Sequence, residues 1–465
     1  MSALGHGNAV PPLRAEALND PPIIMTKPNA SFRCFKGCAG TFPLTQAIYR
    51  CPTCDGLLEV AHDLDVLREK SGEQWRALFE KRWAATSNVA GAPSSGVWSK
   101  REWVAPEVPD DAVVTTGEGM TPLYPARRLA AELGFGELLV KQCGTTHTGS
   151  FKDLGMTVLV SVVNHAMRSG ALSVRAIACA STGDTSAALA AYGAAAGLPV
   201  VVLLPRGMVS VAQLVQPLAH GAKVLALETD FDGCMAVVRE LAKRGLVYLA
   251  NSMNPLRIEG QKTVALEIAQ QLGWTVPDWV VIPSGNLGNA AALFAGFKMA
   301  KELGLTDRLP RLCVAQAAKA NPMYRAFIAG TEEVTPMVAE PTQASAIRIG
   351  NPVSAPRAMA ALRGMNGVVE EATESELADA CARADRTGLY ADPHTGVAIA
   401  CARKLRARDV IRAAERVVVV STASALKFTE LKLAYHESKL PDVPTPLANV
   451  PIPLPPDADV VAKNL

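Results

Sequence analysis

HTGSFKDLG, residues 147–155, is the stretch that decides the fold, because it places one lysine where a strand gives way to a helix. The apolar run 138–140 before it is typical of a buried strand. Ser150 and Asp153 have the spacing of an N-cap and its acidic partner, so we expect Lys152 in the first helical turn. Unpaired N–H groups and the helix dipole disfavour an ammonium there, so Lys152 is a candidate amine for a Schiff base. A solvated lysine beside a cap is the alternative.

Two further loops lie where predicted strands meet predicted helices. STGDTS, residues 181–186, has small polar residues that would let a ligand approach the backbone, although an ordinary helix cap uses the same residue types. SGNLGN, residues 284–289, follows the apolar run 279–283. A Gly-rich turn at a helix N-terminus can bind phosphate through free N–H groups, although a plain turn has the same composition. This loop is neither a Walker A motif nor G-x-G-x-x-G.

The lysine and the two loops together indicate one cofactor. A nucleophilic lysine calls for an aldehyde, and a loop of free N–H groups calls for a phosphate. Pyridoxal 5'-phosphate carries both groups, so we expect it as the cofactor. Phe151, beside the lysine, could pack against the cofactor ring or belong to the core.

Several motifs, in the same order along the chain, resemble those of one known family. The chain resembles the threonine synthases, which are fold-type-II pyridoxal-phosphate enzymes, and is similar to their plant-type branch between residues 49 and 436. A series of motifs is far more specific than any single loop. The motifs are GVWSKREW (96–103), the Lys152 stretch, CASTGDTS (179–186), NPLRIEGQKT (254–263), GNLGN (285–289), AIRIGNP (346–352), DPHTG (392–396), STA (421–423) and LKFT (426–429).

Two positions depart from the pattern of the family. TASA at 422–425 stands where the family usually has TAHG, and Asp184 stands where many bacterial members have asparagine. Neither change removes Lys152 or the phosphate loop, so we expect the activity to be retained.

The resemblance implies a carbon–oxygen lyase acting on phosphate, a threonine synthase that uses pyridoxal phosphate. O-phospho-L-homoserine and water would give L-threonine and phosphate by γ-elimination and β-addition, the last step of threonine biosynthesis. Lys152 would be the catalytic residue, acting as general acid and base. Thr422 matches the position that meets the pyridine nitrogen, and Asp184 matches the position near the 3'-oxygen. The cofactor-binding set is then Lys152, Phe151, Asp184, Gly285, Asn286, Leu287, Gly288, Asn289 and Thr422.

The substrate phosphate calls for cations, and arginine is best suited because it can bind phosphate through two parallel N–H groups. Arg257, in the motif 254–263, is the first candidate. A salt bridge is the alternative for every candidate lysine or arginine and the preferred interpretation for Lys427. The weaker candidates are Ser150, Thr185, Lys262, Arg348 and Lys427.

Three other functions stay open at this point. The chain could be another fold-type-II enzyme, a cysteate synthase or a threonine dehydratase, although a phosphate site around Arg257 and Arg348 argues against the dehydratase. It could instead be a threonine-synthase-like protein that binds phosphorylated ligands without turnover, against which the intact Lys152 argues. A zinc-ribbon interaction module fused to an enzyme is the third possibility.

Four of the ten cysteines have the spacing of a metal site. Cys34 and Cys38 form one close pair and Cys51 and Cys54 a second, which suits tetrahedral Zn²⁺. A closed set of four thiolates leaves no position for a substrate, so the zinc would be structural. The other cysteines are scattered in mostly apolar contexts and are expected to be free thiols of a reducing compartment.

Composition and charge limit the classes of partner and the cellular environment that we expect for this protein. The 465 residues are 49% hydrophobic, enough for more than one domain. Net charge is only +2 and no basic block occurs, so a nucleic-acid partner is not expected. The charge-free run 187–205 is cut by Gly197 and Pro199 and predicts a helix and a strand rather than a membrane span. Without a secretory signal we expect a cytoplasmic enzyme. The resemblance implies a homodimer.

Alternation of short apolar runs with helical segments predicts an α/β fold. We expect two doubly wound parallel-sheet subdomains, with the cofactor at the carboxyl ends of the strands. The proposed divisions are an N-terminal tail (1–30), a zinc-ribbon-like segment (31–62) and a catalytic region (63–465). The catalytic region comprises a large subdomain (about 63–165 and 265–440), a small subdomain (about 166–264) and a Pro-rich tail (441–465).

Overall fold

The computed structural model describes residues 29–85, 95–181, 183–207 and 211–465. Almost all of the expected N-terminal tail, 1–30, and Thr182 of the STGDTS loop lie outside these ranges. Within the described ranges, no helix is long and apolar enough to cross a membrane.

The first described segment forms a small antiparallel sheet of β1 (Ala30–Cys34), β2 (Thr41–Pro43) and β3 (Leu58–His62). The central strand is β1, and Phe32 lies opposite Phe42 on one side and Val60 on the other. The Phe32 side chain is fully buried and belongs to the same hydrophobic core as Trp75 and Val280, so the small sheet packs on the rest of the chain.

The remaining strands of the described chain form two larger sheets. One has the order β12-β11-β10-β13-β5-β4 and is parallel except for β4, and the other has the order β8-β7-β6-β9 and is parallel throughout. The strands are β4 (Leu123–Pro125), β5 (Glu137–Gln142), β6 (Ala176–Ala180), β7 (Val200–Pro205), β8 (Lys223–Leu227), β9 (Val247–Leu249), β10 (Trp279–Pro283), β11 (Arg311–Ala317), β12 (Val368–Ala372) and β13 (Arg416–Ser421).

Helices connect most of these strands, as parallel pairing requires, because a parallel neighbour can be reached only by a long crossover. The α-helices of the described residues are α1 (Leu64–Leu67), α2 (Gly72–Ala85), α3 (Arg127–Leu133), α4 (Lys152–Arg168), α5 (Asp184–Ala195), α6 (Val211–Ala219), α7 (Phe231–Lys243), α8 (Leu256–Gln261), α9 (Thr263–Gln271), α10 (Gly288–Glu302), α11 (Pro322–Ile328), α12 (Ala355–Gly364), α13 (Glu374–Arg386), α14 (Pro393–Ala407), α15 (Thr429–His436) and α16 (Ala458–Ala462).

The six-stranded sheet is buried on both faces. Successive residues of a strand point to opposite faces. In β10, Val280 and Ile282 belong to the core that contains residues of α9, α10 and α12, whereas Trp279 and Val281 belong to the core formed with α13 and α14. A strand covered on both faces has no solvent side, which explains its uniformly apolar sequence.

The fold class is confirmed, with two helix-covered parallel sheets and a small cysteine-bearing sheet at the N-terminus. The charge-free run 187–205 folds as the rest of α5 followed by β7, as predicted. All strands of the four-stranded sheet lie within 166–264. The exact subdomain boundaries stay predictions.

The Pro-rich C-terminal segment lies against the helices before it. Leu447 N donates to the Tyr435 hydroxyl and Asn449 N donates to His436 Nδ1, so the first part of the segment is held on α15. Beyond Asn449 the residues are almost all exposed, including those of α16.

Candidate functional site

Lys152 is the first residue of α4, at the carboxyl edge of the six-stranded sheet. The turn before it pairs with the segment after β13: Phe151 N donates to Thr422 O at 2.9 Å, and Ser424 N donates to Gly149 O at 2.9 Å. Gly149 has φ of +78°, a left-handed conformation that glycine adopts without strain. These contacts between distant segments place Lys152 next to Thr422. The prediction of Lys152 in the first helical turn is confirmed.

The predicted capping pair is wrong. Helix α4 begins at Lys152 and not at Ser150, whose Oγ accepts only a long 3.4 Å bond from Lys152 N. Asp153 turns back instead and accepts from both Thr148 N, at 2.7 Å, and the Thr148 hydroxyl. The reason is tertiary: Ser150 forms an isolated antiparallel bridge with Ala423, a residue far along the chain, and lies outside the helix.

The Lys152 amine has the character of a nucleophile. Its Nζ makes no hydrogen bond or ion pair with any described residue and lies 3.8 Å from the centroid of the Phe151 ring. Burial lowers the pKa of Lys152 to about 7, and the positive charges of Arg257 and Lys427 act in the same direction, while Asp184 opposes them. An amine with such a pKa is largely unprotonated at slightly alkaline pH and can attack an aldehyde.

The SGNLGN loop presents free backbone N–H groups. It joins β10 to α10, and Leu287 caps this helix with φ of +67° and without a side-chain hydrogen bond. The Asn289 side chain accepts from the Ser284 hydroxyl and donates to Pro283 O, and Asn286 Oδ1 accepts from Val353 N. Their side chains therefore shape the loop. No described residue accepts from the N–H groups of Gly285, Asn286, Leu287, Gly288 and Asn289.

This loop fits a phosphate. Free N–H groups and the positive end of the dipole of the 15-residue helix α10 favour an anion. Gly285 admits no side chain, because a Cβ there would lie 2.7 Å from Ile347 Cα. The expected cofactor phosphate site is therefore geometrically sound, and the individual roles of the five residues stay predictions.

Thr422 and Asp184 both lie near Lys152. Thr422 follows β13, is buried, and its hydroxyl has no hydrogen-bond partner among the described residues, so it is free to meet a ligand. Asp184 is the first residue of α5 and forms an ion pair of 2.7 Å with Lys427 Nζ. The salt-bridge interpretation preferred for Lys427 is thus what the structure contains.

Arg257 is a buried cation without a carboxylate partner in the described part of the chain. It lies in α8, where its Nη1 donates to Ala250 O at 3.3 Å and its Nη2 to Thr185 Oγ1 at 3.2 Å. Its Nε is buried and has no acceptor among the described residues. Burial lowers the pKa of Arg257 to about 10. A desolvated guanidinium that lacks a counter-ion favours binding of an anion.

The other substrate candidates divide into two groups. Ser150 lies beside Lys152, and Thr185 is hydrogen-bonded to Arg257, so both lie next to a candidate site residue. Arg348 is exposed and donates to Ala339 O, so the structure does not bring its guanidinium to Arg257. Its substrate role remains a prediction without a supporting contact.

Lys262 is not free for a ligand, and this contact was missed by sequence reasoning. Its Nζ lies within 3.0 Å of His62 Nε2 and is ion-paired with Glu259. His62 ends β3, so this buried cluster ties the small N-terminal sheet to α8, the helix of Arg257. Nothing in the local sequence links position 62 to position 259, since the contact spans two separate motifs.

The four paired cysteines meet as predicted. The sulfurs of Cys34, Cys38, Cys51 and Cys54 all lie within 4.8 Å of one another, and the Cys34 and Cys54 sulfurs are 3.6 Å apart. A Zn–S bond of about 2.3 Å requires tetrahedral S···S separations of about 3.8 Å. The donor set therefore fits zinc. The other cysteines are buried free thiols, namely Cys143, Cys179, Cys234, Cys313, Cys381 and Cys401.

The chain is similar to known proteins over most of its length. The pyridoxal-phosphate dependent enzyme family matches residues 114–423. The chain is 53% identical over 414 residues to threonine synthase 2, chloroplastic, from Arabidopsis thaliana, covering 89% of this chain and 79% of that protein. It is 40% identical over 409 residues to threonine synthase from Methanocaldococcus jannaschii, covering 88% and 95%.

Solved structures share the fold. Threonine synthase from Escherichia coli has a TM-score of 0.64 and 22% identity, covering 93% of this chain and 99% of that one. Threonine synthase from Brucella melitensis with bound pyridoxal phosphate has a TM-score of 0.65 and 19% identity, covering 87% and 91%. At such identities the likeness extends to the fold alone.

Proposed function

This chain belongs to the threonine synthase family of pyridoxal-phosphate dependent enzymes, and from that membership we propose that it converts O-phospho-L-homoserine and water into L-threonine and phosphate. The reaction is a γ-elimination of phosphate followed by β-addition of water. The observation that carries the substrate assignment is Arg257, a buried guanidinium that has no carboxylate partner in the described chain and whose charge acts on Lys152.

The residues around Lys152 fit pyridoxal 5'-phosphate. Five free N–H groups, at 285–289, suit its phosphate, the Lys152 amine suits its aldehyde, and the unpaired Thr422 hydroxyl suits its ring nitrogen. When bound, this cofactor supplies an electron sink that stabilises negative charge on the substrate carbons. A neutral hydroxyl at Thr422 does not force a proton onto the ring nitrogen.

The protein groups have separate tasks in this proposal. Lys152 Nζ takes and returns protons at the substrate carbons, which its lowered pKa of about 7 allows near neutral pH. Arg257 holds the substrate phosphate, with Thr185 beside it. Because the cofactor phosphate has its own loop on α10, the two phosphates do not compete for one cation.

One assay tests the function against its alternatives. Purified protein is incubated with O-phospho-L-homoserine, and phosphate and threonine are measured together. Equal amounts of both products support a threonine synthase. Phosphate release without threonine would contradict the proposal. Turnover of threonine to 2-oxobutanoate would indicate a dehydratase, and no turnover of the phosphorylated substrate would indicate a protein that only binds it.

We also propose one structural Zn²⁺ per chain, held by Cys34, Cys38, Cys51 and Cys54. The close approach of the four sulfurs supports it. The site would stabilise the small N-terminal sheet, which packs on the catalytic region. Tyr49 accepts a 2.8 Å bond from Leu249 N and its ring meets that of Tyr248 edge to face.

Replacing Cys51 by serine is expected to remove the zinc and lower the unfolding temperature by several degrees, because metal binding contributes to folding. Metal analysis and thermal unfolding of chelator-free protein would show both effects. Preference among substrates should not change. Cys234→Ser is the matched control, since Cys234 is a buried thiol of α7 outside the cluster and its variant should keep one zinc. Wild-type protein without zinc would contradict the proposal.

A homodimer and a cytoplasmic location remain parts of the proposal that rest on the family resemblance and on the sequence. The Arabidopsis relative is named chloroplastic, so the location in particular needs its own experiment. Light scattering of the purified protein and fractionation of the source cells would check these two points.

A further inference from the structure

The ion pair of Lys427 and Asp184 lies beside the lysine that the cofactor needs. Their charged atoms are 2.7 Å apart, and the two side chains are 20% and 7% exposed. Lys427 Nζ also donates to Thr148 O at 3.1 Å and to Gln216 Oε1 at 3.3 Å. Its ammonium is therefore satisfied by three acceptors and held in one place, unlike the amine of Lys152.

The charged groups that face Lys152 come from three elements. Asp184 begins α5, Arg257 lies in α8, and Lys427 follows β13. The two cations disfavour an ammonium at Lys152, and Asp184 favours one. The neighbouring Asp153 is turned away and hydrogen-bonded to Thr148. Among the described residues, Asp184 is thus the carboxylate that could pair with the Lys152 amine.

We propose that Lys427 is a positioning residue for Lys152: its ion pair with Asp184 keeps this carboxylate from pairing with the Lys152 amine and leaves the amine free to react. Without Lys427, Asp184 would be a buried carboxylate beside an unpaired amine, and forming an ammonium there would relieve its uncompensated charge. Arg257 makes no ion pair with Asp184; its Nη1 and Nη2 donate to Ala250 O and Thr185 Oγ1. The inference rests on the proposed cofactor function.

The test follows loading of the cofactor rather than catalytic activity. The full-length chain is stripped of cofactor and mixed with pyridoxal 5'-phosphate over a pH series, and the loading rate is read by absorbance. Only an unprotonated amine can add to the aldehyde and release water. We expect the loading rate of the wild type to reach half its maximum at a pH of about 7. For Lys427→Met this midpoint should be higher by about one pH unit or more.

Three further variants separate positioning from stability. Lys427→Arg can still hold Asp184 and should keep the wild-type midpoint. Asp184→Asn has no carboxylate to hold, so adding Lys427→Met to it should not raise the midpoint. Protonation changes of the free cofactor occur in all the samples, so they do not affect the difference in midpoint between a variant and the wild type.

Two results would overturn this inference without affecting the proposed function. One is an unchanged midpoint in Lys427→Met, even with a lower unfolding temperature, because Lys427 would then be only structural. The other is a rise that persists when Asp184→Asn is added, because the effect would not pass through Asp184. A wild-type chain that takes up no cofactor would overturn the proposed function together with this inference.

Discussion

Replacing Lys152 by alanine is expected to lower the rate of threonine formation by on the order of 10²–10⁴-fold or more, the range for loss of a general acid and base. The structure places this amine in the first turn of α4, without a partner among the described residues and with its pKa lowered to about 7. The measurement is steady-state turnover of O-phospho-L-homoserine. Borohydride reduction of wild-type holoenzyme, followed by peptide mapping, should place the covalent cofactor label on Lys152.

Lys100 provides a matched control within the same chain. Lys100 is fully buried, whereas Lys152 is half-buried, and burial lowers the pKa of Lys100 to about 8. Its Nζ, however, donates to Gly96 O and Ser99 Oγ and lies near the rings of Phe79 and Trp83. It should therefore carry no label. Label on Lys100, or a Lys152→Ala variant with the wild-type rate, would contradict the assignment of the catalytic lysine.

Replacing Arg257 by alanine is expected to lower kcat/KM for O-phospho-L-homoserine. The loss of transition-state stabilisation should be about 2–5 kcal/mol, as when one partner of a desolvated charge pair is removed. The buried guanidinium has a free Nε and no carboxylate partner in the described ranges, so a bound phosphate would supply the missing acceptor. Cofactor absorbance should be retained, because the loop 285–289 is separate. Arg257→Lys should recover only part of the loss, since an ammonium lacks the bidentate geometry.

Arg357→Ala is the control for the effect of removing a buried arginine in general. Arg357 is as buried as Arg257, its Nε also lacks an acceptor, and burial likewise lowers its pKa to about 10. It donates to Leu58 O in β3 and is not among the charges that act on Lys152. Arg357→Ala should lower thermal stability with little change in KM. If Arg257→Ala behaves in the same way, Arg257 is a structural residue and the substrate assignment fails.

The expectations taken from local pattern compare well with the structure. The apolar runs at 138–140 and 279–283 lie in β5 and β10, where all these residues are buried, because a strand buried on both faces must be apolar along its length. Strand β12 was not predicted, since Glu370 and Glu371 interrupt its apolar pattern. Glu370 is buried there and ion-paired with Arg408, a partner that no local window contains.

By itself the sequence determined the features that depend on neighbouring residues: the buried strands, the glycine-rich loop before α10 and the two cysteine pairs. Chain geometry over a few residues is enough to set each of these. The tertiary structure alone decided which charges meet. It turned Ser150 toward Ala423 so that α4 begins at Lys152, paired Lys427 with Asp184 and His62 with Glu259, and left Arg257 without a carboxylate among the described residues. Such pairings depend on the packing of distant segments, because burial strengthens the interaction between charges that no sequence spacing brings together.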